Sequence, residues 1–397
     1  MAILNRRLCL QTLAAGAFPG AASALDWSQW RGPARNGISS ETGWKAAWGA
    51  GGPPKLWSAQ VGEGWSAPAV AGNRLYTMGN QGNQDTVYCL DADTGRVVWK
   101  QSYPCSAGDY GGPRSSPVLE GGRVYTLSRE GFAGCLDAAG GRVLWSRHLQ
   151  REARAEIPRW GFAGSPLVLG NQVLYNVGTA GISLAKANGE VQWISGPRAA
   201  GYASPVPFTA AGKSGVALFV AFGIVAIEPA TGKPLWQHPW ETSYDVNAAD
   251  PVFSGDSVFI TSGYNRGGAL LRLSGGRPQV VWENKNIRSH FASPVLLGEG
   301  IYGNDDGRLT CLNVKSGNRS WEMRGIGKGG LMAAGGKLLV LTERGELVAA
   351  EARTDRYVEL ARGQVLRGTC WTHPVLANGR VYCRSHEGEL VCLNVKG

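Results

Sequence analysis

Apolar residues along this chain fall in short runs cut by glycine-centred turns, and the runs return in a fixed order. The recurring unit opens on Ser-x-Pro or Ser-Pro and passes through an apolar strand and a Gly turn. A strand ending in Tyr or Phe follows, then a Leu-Asp strand, a Thr-Gly turn and a Trp. Clear copies of the second half are CLDADTGRVVW (89–99), CLDAAGGRVLW (135–145), AIEPATGKPLW (226–236) and CLNVKSGNRSW (311–321), with a weaker SLAKANGEVQW ending at Trp193. The Trp position runs Trp57, Trp99, Trp145, Trp193, Trp236, Trp282 and Trp321, then Tyr357. The strand openings at Pro68, Pro117, Pro166, Pro205, Pro251, Pro294 and Pro374, with Leu331 in the remaining slot, count eight units independently. Four short strands in about 43 residues, repeated eight times, predict an all-β fold: an eight-bladed β-propeller of four-stranded antiparallel blades.

Each repeated residue has a physical reason. Pro at a strand's first position loses no ladder hydrogen bond. The Thr-Gly pair supplies the positive φ of a tight hairpin. The Trp is large enough to fill the wedge between blades, and its indole N–H can bond a neighbouring carbonyl. The last copy stops at CLNVKG without a Trp strand, while KLWSAQV around Trp57 precedes the first copy as an orphan. The N-terminal strand is therefore expected to complete the C-terminal blade and remove the open edges.

The Asp/Glu-x-x-Thr-Gly-x-x-x-Trp segments at 91–99 and 228–236 resemble the tryptophan-docking repeat of PQQ-dependent quinoprotein dehydrogenases and of BamB, the outer-membrane assembly propeller. The resemblance runs from about Lys55 to the end and is specific for fold, not for activity. DWSQWRGPARNGISSETG (26–43) resembles an opening shared by PQQ-like repeat proteins of environmental bacteria, and residues 25–54 are expected to pack as a clasp on one face. The dehydrogenase resemblance implies PQQ with calcium, a vicinal disulfide, a stacked Trp and an Asp base. This chain has no Cys-Cys dipeptide, and no motif places the base or the calcium ligands. The BamB resemblance implies a role in outer-membrane protein assembly, although Cys9 lacks the neighbours of a lipid-attachment cysteine.

The first 24 residues carry Arg6-Arg7, an apolar stretch from Leu8 to Phe18 and an A-x-A site ending at Ala24. They read as a cleaved signal, either twin-arginine or ordinary secretory, giving a periplasmic or secreted protein with no transmembrane segment. The formal net charge is +10, and removing both signal arginines leaves +8. That excess admits an acidic partner, but no Lys/Arg run is dense enough to argue nucleic acid. A monomer is expected.

Seven cysteines follow the signal. Cys89, Cys135, Cys311 and Cys392 recur at one repeat position as small packing residues. Cys383 and Cys392 are the best disulfide candidate, facing each other if Glu387 and Gly388 form the hairpin turn. No histidines stand at paired ligand spacing, and Ser165, Ser204 and Ser293 show no nucleophile elbow. Glu241, Asp245, Asn247 and Asp250 are oxygen donors without the spacing of a calcium loop, so no metal ligand is assigned.

The loops leading into the innermost strands gather at one mouth of the channel. Three residues before the Pro slots stand Trp65, Arg114, Tyr202, Phe291, Lys328 and Trp371, with Arg159 slightly upstream. An aromatic, basic mouth suits an anionic small molecule, a glycan or an acidic protein segment. With no catalytic set in view, a non-catalytic binding or scaffold propeller is expected ahead of a PQQ-dependent oxidoreductase or a BamB-like assembly factor.

Overall fold

The computed structural model describes residues 26–274 and 277–397, so the expected signal lies outside the described residues. Eight sheets form the ring, numbered as blades 1–8 in chain order. Blade 1 runs from channel to rim as Ala69–Ala71, Arg74–Gln81, Gln84–Asp91 and Val97–Pro104. Blades 2 to 7 repeat this at 118–148, 167–194, 206–239, 252–284, 295–324 and 330–364. Blade 8 joins Val375–Ala377, Arg380–Arg384 and Glu389–Asn394 to Lys55–Gln60, the strand expected to close the ring. Helix among the described residues is confined to Leu149–Ala153 and one turn at Ser243–Asp245.

The outer strands share one device. In every blade the pairing slips by one residue immediately before the Trp slot, as between Cys89/Leu90 and Trp99/Val97. Such a bulge adds twist and re-aims the next side chain. The indole then lies over the following blade and donates to a carbonyl there: Trp57 to Ala92 (3.0 Å), Trp99 to Ala138 (2.9 Å), Trp145 to Lys186 (3.1 Å), Trp193 to Pro229 (2.8 Å), Trp282 to Val314 (2.8 Å) and Trp321 to Arg353 (2.8 Å). Beneath it sits the glycine of that blade's hairpin, where a Cβ at Gly95 would stand 2.6 Å from the Trp57 ring. The glycine thus answers two demands, a φ of +72° and the approach of an indole. Opposite the Trp, on the third strand, stand Cys89, Cys135, Cys311 and Cys392, small enough to leave the bulge room.

Blade 7 breaks the pattern. Its Trp slot holds Ala361, paired with Ala349, rather than Tyr357, which precedes the strand. The chain before the closing strand fills this wedge: Gln364 N donates to Ala50 O, and a Cβ at Gly363 would lie 2.2 Å from Gly52 N. Trp48 packs against the core cluster uniting blades 7, 8 and 1.

Residues 26–41 do not lie flat on a face. They enter the channel from the side opposite the mouth, where Asp26 accepts from Gly72 N, and Trp27 pairs with Val70 of blade 1. Arg35 reaches the carbonyls of Ser165 and Pro166, and Arg31 that of Pro294. Ile38–Ser39 then add a parallel fifth strand to blade 7 before Glu41 accepts from Gly379 N. The segment is a plug, tied by backbone and side chain to the innermost strands.

The expected Cys383–Cys392 disulfide is not formed, and all seven described cysteines are free and buried. The hairpin pairs Cys383 with Val391 and Cys392 with Tyr382. One residue of register places the two thiols on opposite faces of the sheet.

The seam between blades 8 and 1 also holds Arg384, fully buried, whose guanidinium donates to the carbonyls of Gly62, Ser66, Met78 and Ser385 and to the Thr77 hydroxyl. Burial lowers its pKa to about 10, which leaves it a cation at neutral pH. Arg384→Met strands several of these acceptors at about 1–3 kcal/mol each. Urea unfolding is expected to show a loss of at least about 3 kcal/mol, matched by Trp57→Ala.

Candidate functional site

The residue before each Pro slot builds the throat of the mouth. Ser116 N donates to Ser165 Oγ (2.9 Å), Ser165 N to Ser204 Oγ (3.0 Å), Ser204 N to Asp250 Oδ1 (2.8 Å) and Asp250 N to Ser293 Oγ (2.9 Å). From blade 2 to blade 6 each blade thus hands a backbone N–H to the side chain of the next, which explains the repeated serine as a structural acceptor. Four slots hold no serine: Ala67 in blade 1, Asp250 in blade 5, Gly330 in blade 7 and His373 in blade 8. Asp250 and His373 meet Trp30 at the tip of the plug: its indole donates to Asp250 Oδ2 (2.5 Å) and its ring lies 4.5 Å from the His373 ring, edge-on.

Beside them is Arg31, whose Nη1 stands 4.0 Å from Asp250 Oδ2, both side chains being buried. Burial raises the Asp250 pKa while Arg31 pulls it back, and burial lowers that of Arg31. Burial, with Arg31 nearby, pushes the His373 imidazole down to about 3, so it is neutral at physiological pH. The cluster forms the floor of the mouth, and Arg31 Nη1 and His373 Nε2 find no hydrogen-bond partner in it.

Above the floor opens a funnel of about 230 Å³. Of the residues expected at the mouth, Trp65, Arg114, Tyr202, Phe291, Lys328 and Trp371 all line it. Arg159 stands at its edge, 5.3 Å over Trp160 and 5.1 Å over Tyr244. The fixed offset from the Pro slot missed Trp30 of the plug, Tyr110, Trp160 and His290 further upstream in their entry loops, and Tyr264 in the turn between the second and third strands of blade 5.

The rings make an arc. Trp160 meets Tyr244 (6.0 Å, 77°), which meets Tyr264 (5.5 Å, 65°) and then His290 (4.7 Å, 80°). Phe291 follows (5.0 Å, 37°), then Trp371 (5.0 Å, 42°) and Trp65, stacked on Trp371 at 4.6 Å and 15°. His386 backs Trp65, while Tyr110 lies 6.0 Å from Trp371. Burial lowers His290 to about 4, so its ring adds no charge at neutral pH.

Three rim tyrosines sit on backbone that disfavours them: Tyr110 (φ +53°), Tyr244 (φ +62°) and Tyr264 (φ +51°). They are 59%, 57% and 40% exposed, so core packing does not compensate a left-handed conformation that costs about 1–2 kcal/mol per residue.

The arc opens at blade 2, where Arg114 stands. Three of its donors go to the carbonyls of Asp109, Tyr110 and Gly112, and burial lowers its pKa to about 10, still cationic at neutral pH. Lys328 lies 5.1 Å from the Trp371 ring. Among the described residues neither cation forms an ion pair, and Asp250 is the one carboxylate lining the funnel, already committed to Trp30, Ser204 and Arg31.

A calcium-held quinone needs several free oxygen donors at one point, and these residues do not fit it. The acidic segment does not converge either: Asn247 is buried against the carbonyls of Val220 and Trp240, while Glu241 and Asp245 face solvent. Among the described residues no cluster of His, Cys, Asp or Glu could hold a metal. The arrangement can stack rings and attract an anion.

A sequence model of the family described as outer membrane protein assembly factor BamB matches residues 38–108 and 106–323. The chain is 26% identical over 289 residues to the outer membrane protein assembly factor BamB of Burkholderia pseudomallei (strain K96243), covering 67% of this chain and 68% of that protein. The crystal structure of BamB from Moraxella catarrhalis superposes with a TM-score of 0.66 at 16% identity, over 86% of this chain and 99% of that one. The quinohemoprotein alcohol dehydrogenase from Comamonas testosteroni does so with a TM-score of 0.67 at 15% identity, over 95% and 81%. At these identities the structural likeness shows the fold alone.

The buried histidine makes the floor acid-sensitive. Its folded pKa, about 3, lies below the unfolded value of about 6.5. Unfolding therefore takes up a proton as pH falls from 6.5 towards 3, lowering stability by up to about 1.4 kcal/mol per pH unit. In urea titrations at pH 7.5 and 5.0, His373→Gln is expected to lose about 2 kcal/mol less than the wild type between the two.

Proposed function

Since the chain belongs to the family described as outer membrane protein assembly factor BamB, we propose that it works as an exported, non-catalytic binding propeller of the cell envelope whose ligand seats in the aromatic funnel. The observation that carries this reading is the mismatch of charge and strain at the mouth. Unpaired cations stand beside aromatic walls whose rim tyrosines hold an unfavourable backbone. Natural structures retain such strain where it serves a site.

The plug supports the same reading. Of the titratable groups at the floor, Asp250 is committed to Trp30 and His373 is sealed beneath it, while His290 in the wall packs edge-on against Tyr264 and beside Phe291. Asp250 and His373 hold a floor in place. Export rests on the Arg6-Arg7 signal, and among the described residues no helix is long and apolar enough to cross a membrane. A role beside the outer-membrane assembly machinery is the natural extension for a member of this family.

A photo-reactive p-benzoylphenylalanine placed at Tyr110 in the producing cell tests the site, with the same residue at Asn73, in the turn on the opposite face, as control. Crosslinks to an envelope component are expected from position 110 and not from 73. Purified protein supplied with PQQ and calcium is expected to give no dye-linked alcohol oxidation. Equal crosslinking at both positions, or turnover, overturns the proposal.

A further inference from the structure

We propose that the funnel's ligand is an acidic saccharide, one or two puckered rings of a uronate-bearing glycan, stacked in the aromatic arc with a carboxylate turned to Arg114. This rests on the reading of the funnel as a binding site and names its chemistry.

Shape separates a sugar from a flat anion. A planar ligand gains most from two parallel walls with a ring's thickness between them. The parallel rings here, Trp65 and Trp371, are 4.6 Å apart and already fill each other's faces. Elsewhere neighbouring rings tilt by 37° to 80°, so the wall curves into a cup. A cup presents ring faces in several directions, which suits the several C–H faces of a pyranose better than one plane. A space of about 230 Å³ holds a residue or two of a chain and no folded partner.

Charge selects the acid. Arg114 keeps two of its five N–H donors beyond the three bound to its own loop, in the gap where the arc is open. These are Nε–H and one Nη1–H, on different edges of the guanidinium, and either can give an anion one charge-assisted hydrogen bond. Lys328 supplies a second positive charge against Trp371, and Arg159 a third at the edge. The lining's one carboxylate is held by Trp30 and the Ser204 N–H, so it does not repel an anion as a free one would. The rim tyrosines complete the fit, with half-exposed rings and a hydroxyl each to bond sugar oxygens.

The test uses the purified chain with tetragalacturonate, maltotetraose as its neutral counterpart and 2-naphthoate as the flat anion, read by calorimetry and tryptophan fluorescence at low and high salt. Tetragalacturonate is expected to bind at least tenfold more tightly than either comparator, and to weaken with salt. Arg114→Gln is expected to weaken it about tenfold, in line with the loss of a charge-assisted hydrogen bond. Tyr110→Gly and Tyr264→Gly separate binding from folding: each is expected to melt no lower than the wild type, since glycine suits the left-handed backbone, yet to bind several-fold more weakly. Preference for 2-naphthoate, equal binding of maltotetraose, or tyrosine variants that bind unchanged would each overturn the acidic-sugar assignment. If tetragalacturonate fails while crosslinks from position 110 persist, the ligand assignment falls and the binding site stands.

Discussion

A ring of sheets has no exposed edge only if its last sheet is finished by chain from its beginning, and the rest of this molecule hangs on that condition. Lys55–Gln60 meets it by pairing with Glu389–Asn394, and Trp57 carries the joint outward onto blade 1 in the same way that five other rim indoles join their neighbours. Arg384 does the corresponding work nearer the mouth, its donors distributed over carbonyls of the Gly62–Met78 stretch. A cation buried without a carboxylate is tolerable because neutral acceptors surround it on all sides.

Closure of the ring leaves a channel, and the channel's two ends have been treated differently. The plug fills one end and its tip becomes the floor of the other. Trp30, Arg31 and Arg35 point from one turn of chain into different blades, so the floor's position is set jointly by them. The funnel above it is therefore lined by residues from the ends of many rigid strands, which is how a site on loops keeps its shape.

The repeat was legible because each of its residues answers a demand that recurs in every blade: a small residue opposite the bulge, a glycine under an indole, a proline after the throat serine. What did not repeat was harder to see. The plug's bonds span the chain, as from Arg31 to Pro294, and no local pattern announces them. Tyr357 stood at a plausible spacing for the rim, yet the slot belongs to Ala361, because residues 48–52 occupy the wedge that a Trp fills elsewhere. The proposed cysteine pair failed by one residue of register, a difference that turn position alone decides. Much of the funnel followed from a fixed offset before the prolines, since propeller geometry brings those loops to one mouth. Tyr110 and Trp160 escaped because their loops are longer than that offset allows, and Tyr264 because it stands in the turn between the second and third strands of blade 5. Asp250 was visible as an acid, but its meaning, a carboxylate standing where other blades use serine, needed the hydrogen-bond belt.

The borrowed strand imposes an order in time. Residues 55–60 leave the ribosome early and have no partner until residues 389–394 exist, so nearly the whole chain is made before the ring can lock. The plug is tied to blades 1, 3, 6 and 7 alike, so it too waits for almost all of them. Interrupted synthesis would leave an unpaired edge and an empty channel, which gives proteolytic surveillance a clear mark by which to tell unfinished copies from finished ones.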